Sequence, residues 1–114
     1  MPSFYSRPVF FVTSAARAVR FYVDVLAFDV AWDRGDVAQV NRGDLELILC
    51  EAVERAGHGR LFVELMPDEL IAFRAEVMTR PIQTTDVHWG YQCWQIRDPD
   101  GNELLVCQEN DPEP

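Results

Sequence analysis

The chain has 114 residues, is 48% hydrophobic and 25% charged, and carries a formal charge of −9 from 19 acidic and 10 basic residues. That length predicts one domain able to bury a core. The acidity excludes a face that neutralises phosphates, so no nucleic-acid partner is expected; it favours solubility and a cationic ligand. Cys50, Cys93 and Cys107 show neither framework nor zinc spacing and read as reduced residues of a cytoplasmic protein. No signal-peptide run opens the chain, and no window nears the ~18 apolar residues of a membrane span.

In chain order, Pro8 to Val12 is apolar and β-rich, so it predicts a strand with both faces covered. Thr13 or Ser14 can cap a helix over Ala15 to Leu26, whose stripe is Ala18, Val19, Tyr22, Val25 and Leu26. Phe28 to Trp32, Val37 to Asn41 and Leu45 to Cys50 follow as strands. Asp33-Arg34-Gly35-Asp36 and Arg42-Gly43-Asp44 join them as antiparallel hairpins. Glu51 to Gly59 has no sustained period and reads as a linker.

The order then repeats. Leu61 to Leu65 is a strand. Pro67 opens a helix with Asp68 and Glu69 in its first turn, and Pro81 closes it. Ile82 to Val87, Tyr91 to Ile96 and Leu104 to Gln108 complete the second set of strands. The last two are joined by Asp98-Pro99-Asp100-Gly101-Asn102, a turn with proline and glycine where a tight reversal needs them. An offset of 52 lays Val9-Phe10-Phe11 on Leu61-Phe62-Val63, and one of 57 lays Glu46 to Cys50 on Glu103 to Cys107. The expected fold is α+β: one domain over residues 1–114 built of two βαβββ modules, about 4–50 and 60–109. Such sheets curve and enclose a groove suited to a ligand.

Phe21-Tyr22-Val23-Asp24-Val25-Leu26-Ala27-Phe28, with Ala27 where glycine is usual, resembles a signature of the vicinal oxygen chelate (glyoxalase/bleomycin resistance/dioxygenase) superfamily. Trp89-Gly90 followed by Arg97-Asp98-Pro99-Asp100-Gly101-Asn102 resembles the end of its second module. The resemblance covers nearly the whole chain and is specific for fold rather than activity. Enzymes of that superfamily hold a divalent metal on four side chains. Arg7 and Leu105 stand at two of those positions, Arg60 falls near a third, and Glu46 alone offers a ligand. His58 and His88 fall elsewhere.

What remains is similar to the bleomycin-resistance subgroup. That likeness implies a metal-free homodimer, with exchanged or unexchanged N-terminal strands, that sequesters a cationic aromatic ligand or antibiotic in an interface groove. It implies no cofactor, no catalytic residue and no membrane partner. The implied lining is Val37, Glu46, Ile48, Phe62 and Trp89, to which alternation and aromatic character add Glu64 and Tyr91. Aromatic rings and a carboxylate in a dry cleft suit a planar cation. Val37 and Ile48 stand where aromatics are expected, which argues against bleomycin as the ligand. The alternative is a lyase or dioxygenase with a displaced metal site; an acid–base enzyme using Glu46 or Glu64 is a third reading.

Overall fold

The computed structural model describes residues 4–88 and 90–112, with the side chains of residues 91, 92 and 109–112 outside that description. Its elements run β1 (Val9–Val12), α1 (Ala15–Arg20), β2 (Asp29–Asp33), β3 (Val37–Arg42), β4 (Leu45–Glu51), β5 (Arg60–Leu65), α2 (Pro67–Val77), β6 (Thr84–His88), β7 (Tyr91–Arg97) and β8 (Glu103–Pro112). They form two four-stranded sheets, ordered β1-β4-β3-β2 and β5-β8-β7-β6. In each sheet the first strand pairs in parallel with the last, and the others pair antiparallel. This is the expected α+β architecture of two βαβββ modules. No helix among the described residues is long and apolar enough to cross a membrane.

The hydrophobic alternation decides which way each sheet faces. Leu47 and Leu49 are fully buried beside Val40 and Phe10, while Glu46, Ile48 and Cys50 take the opposite face of β4. Leu104 and Val106 likewise turn inward with Trp94 and Ile96. The two modules share one core, in which Phe10, Tyr22 and Leu26 of the first join Phe73, Val77 and Trp94 of the second. Area buried in this way is the main stabilising term, worth about 25 cal/mol per Å² of apolar surface.

The first helix departs from expectation. Ser14 caps it, accepting from the Arg17 N–H at 3.2 Å. The α-helix ends at Arg20, however, and continues as a π-helical turn over Phe21–Val25. The wider turn keeps Tyr22 and Leu26 in the core. It delivers the chain to Ala27 at φ 60°, the left-handed region that explains why glycine is usual there. Likewise α2 stops at Val77, before Pro81, and the expected linker contains a 3₁₀ turn, Val53–Arg55.

The Asp98–Asn102 turn fastens the second module to the first. Asp98 Oδ1 accepts the N–H groups of Asp100 at 2.9 Å and Asn102 at 3.0 Å. Asn102 donates to the Phe11 carbonyl at 2.9 Å and accepts the Gly59 N–H at 2.8 Å. Asp100 accepts the Thr13 hydroxyl at 2.7 Å and pairs with Arg17 at 3.2 Å. At the β3–β4 hairpin, Arg42 donates to the carbonyls of Leu26 and Ala27 and pairs with Glu76 at 2.9 Å.

One cysteine reading needs correction. Cys93 and Cys107 are not reduced: they form a disulfide between β7 and β8, where they stand directly opposite. Cys50 is free. Sequence spacing shows no framework because the pairing depends on strand register rather than on proximity along the chain.

Candidate functional site

The most organised polar cluster on an exposed face lies on the helix-free side of the first sheet. Pairing across β3 and β4 sets Val37 beside Cys50, Gln39 beside Ile48 and Asn41 beside Glu46, so these side chains share one face. Val37, Glu46 and Ile48, three of the expected lining residues, therefore stand together. Val9 of β1 joins them opposite Ile48.

Glu46 is the hub of that face. It accepts hydrogen bonds from the Tyr5 hydroxyl and from Arg7 Nε, the latter at 2.6 Å. Gln39 Nε2 lies 3.5 Å from the same carboxylate and donates to Asn41 Oδ1 at 2.9 Å. The Gln39 side-chain oxygen Oε1 in turn accepts the Trp32 indole N–H at 3.1 Å. The chain of bonds runs from an aromatic on the edge strand β2 to an aromatic ahead of β1. The hydrogen bonds from Tyr5 and Arg7 hold the Glu46 carboxyl below its usual value of 4.5, so it is ionised at neutral pH. The same hydrogen bond, with the nearby negative charge, pushes the Tyr5 phenol up.

Both aromatics also carry a guanidinium over their rings, Arg7 at 4.8 Å from the Tyr5 centroid and Arg34 at 5.8 Å from that of Trp32. Trp32 is 37% and Tyr5 64% exposed, so both rings can receive a flat partner. Arg7, Tyr5 and Gln39 were absent from the expected lining. The strict alternation around Glu46 carried the signal for Gln39. Nothing local pointed to Tyr5 or Arg7, which meet Glu46 across about forty residues of chain.

Phe62 and Glu64 lie on the second sheet, opposite Leu105 and Cys107. Phe62 packs against a small cluster of Cys93, Leu105 and Cys107 with Val87. Trp89 and the side chain of Tyr91 lie outside the described residues. Trp94 is buried and meets Phe73 edge to face at 5.9 Å, so it is a core residue.

The residues at the superfamily's metal positions do not fit a metal. Arg7 is paired with Glu46, Arg60 with Glu103 at 3.2 Å, and Leu105 is buried among apolar neighbours. Among the described residues no three His, Cys, Asp or Glu side chains converge.

Residues 5–106 match the family described as Glyoxalase/Bleomycin resistance protein/Dioxygenase superfamily. No curated protein matches the chain. Among solved structures, the chain is similar to a bleomycin-binding protein from Streptomyces verticillus complexed with copper(II)-bleomycin. Identity is 20%, coverage 96% of this chain and 100% of that one, and the TM-score 0.73. It is also similar to a lactoylglutathione lyase from Agrobacterium tumefaciens, at 20% identity, 95% coverage of each chain and a TM-score of 0.75. A glyoxalase/bleomycin resistance protein from Streptomyces sp. CB03234 is 26% identical over 90% of this chain and 100% of that one, with a TM-score of 0.66.

Proposed function

Since the chain belongs to the glyoxalase/bleomycin resistance protein/dioxygenase superfamily, we propose that it binds a cationic aromatic small molecule and sequesters it. The observation that carries this reading is the Glu46 hub. An ionised carboxylate sits between two exposed aromatic rings, and each ring already holds a cation over its face. A ligand with a flat ring and a cationic arm reproduces both contacts, displacing Arg7 from Glu46 and Arg34 from Trp32. Val37 and Ile48 supply the apolar floor, and Phe62, Glu64, Trp89 and Tyr91 extend the lining from the second module.

The likeness to proteins named for binding bleomycin supports a binding role. The lack of fit at the metal positions weighs against the lyase or dioxygenase alternative.

The working unit in this proposal is a homodimer, in which sequestration of an antibiotic confers resistance. The exposed apolar side chains of Phe4, Val9 and Val30 are surface a second copy would cover.

The test is calorimetric titration with a panel of cationic aromatic antibiotics, bleomycin included. Micromolar or tighter binding to the native chain, weakened about tenfold by Glu46→Gln and by Trp32→Ala, is the expected result. Binding indifferent to both substitutions refutes the groove; retention of the affinity by anionic analogues refutes the charge assignment.

A further inference from the structure

We propose a second ligand site, for an organic cation with an apolar tail, in the cleft between the modules on the helix side of the second sheet. The cleft encloses about 590 Å³, within the range of small-molecule sites. Leu104 and Val106 line it from β8 and Phe73 from α2, while Phe28 and Leu45 close it from the first module. Its lining is separate from the Glu46 face. Leu104 and Val106 belong to the core side of their strand, and neither Glu46 nor any of its hydrogen-bond partners reaches it.

Charge selects the occupant. The acidic residues of the lining whose side chains do not belong to the other face are three, Asp29, Asp44 and Glu69, against one guanidinium, Arg42. Arg42 is already engaged by Glu76 and by the carbonyls of Leu26 and Ala27, with its guanidinium 4.9 Å over the Phe73 ring. An anion entering the cleft would meet a rim of like charge on a chain of net −9, whereas a cation gains from both. The apolar lining requires more than a charge: a bare ammonium would leave the half-buried Leu45, Val63 and Leu65 uncovered, and an alkyl tail covers them.

The experiment is calorimetric titration at low ionic strength with octyltrimethylammonium, octyl sulfate and tetramethylammonium, each below its aggregation concentration. Octyltrimethylammonium is expected to bind the native chain. Binding should weaken about tenfold in the Asp44→Asn/Glu69→Gln double variant and vanish when Ala72→Trp fills the cleft. Glu46→Gln should leave it unchanged, which separates this site from the proposed groove. The proposal is overturned if octyl sulfate binds as well, if tetramethylammonium alone binds equally, or if affinity survives in the double variant. Loss of binding in Glu46→Gln overturns it too, by moving the cation to the other face. A drop in oligomeric mass on Ala72→Trp, read by light scattering, assigns the cleft to a second copy and also overturns it. Where Ala72→Trp fails to fold by circular dichroism, the double variant of exposed rim residues decides alone.

Discussion

The Tyr22 hydroxyl donates to Asp98 Oδ2 at 3.1 Å, joining the π-helical turn of the first module to the β7–β8 turn of the second. Asn102 Nδ2 bonds the same oxygen at 2.9 Å. Asp98 thus accepts from donors on every side, and burial still raises its pKa above the ordinary 3.8. Asp98→Asn turns one acceptor into a donor facing two donors. It should cost about 2–3 kcal/mol in urea unfolding, and Tyr22→Phe about 1–2 kcal/mol. Because the folded pKa lies above the unfolded value, Asp98's protonation-linked contribution is fully present below pH 3.8 and is lost as pH rises through the folded value. Tyr22→Phe removes a bond that holds the pKa down, so a carboxyl-detected NMR titration should find Asp98 shifted further upward.

Glu46 has the opposite sign. Its folded pKa is depressed below 4.5, so its contribution is present above that pH and lost as pH falls through the folded value. Tyr5→Phe and Arg7→Ala should each return the NMR-detected pKa of Glu46 toward 4.5. The affinity for a cationic ligand should fall over the same acid window. A Glu46 pKa unmoved by both substitutions would mean that the hydrogen bonds are not formed in solution.

Gly57 joins the linker to the fastening turn. It has φ +87°, and a Cβ added there would sit 2.2 Å from the Asp100 carbonyl oxygen. That neighbour is backbone and cannot swing aside. Gly57→Ala should therefore cost about 3 kcal/mol or more. Gly35→Ala, at φ +96° with nothing within 4 Å, should cost only the backbone strain of about 1–2 kcal/mol. Equal losses by thermal unfolding would refute the contact.

The Cys93–Cys107 disulfide closes a loop with a sequence separation of 14 residues. Its removal by Cys93→Ala/Cys107→Ala should cost about 3 kcal/mol of stability. Denatured, unreduced protein should titrate one thiol, that of Cys50. Three thiols in protein taken directly from cytosol would mean that the bridge does not form there.

The doubled architecture was legible because its signals are local. Leu47 and Leu49 alternate with Glu46, Ile48 and Cys50, turn residues separate the strands, and the second half echoes the first at a fixed offset. The site was legible only where strand periodicity defines a face, as for Val37, Glu46 and Ile48. Tyr5 and Arg7 precede β1 and meet Glu46 through tertiary packing, which no local pattern records. The disulfide was hidden for a related reason: Cys93 and Cys107 meet only through the hairpin register set by the Asp98–Asn102 turn, which runs in step from Arg97–Glu103 to Cys93–Cys107 and which spacing along the chain does not record. The premature end of α1 reflects a wide turn imposed by core packing, which overrode a regular apolar stripe.

Val37 stands opposite Cys50 in the first sheet as Cys93 stands opposite Cys107 in the second. The covalent tie is thus present in one half of a doubled structure and missing from its twin by a single side chain. The two central hairpins should differ in how readily they breathe. Amide hydrogens along β7 and β8 should exchange only with global opening, while those of β3 and β4 escape through a lower, local route. The module that carries Glu46 is then the more compliant wall of the fold, and its stapled twin the fixed one.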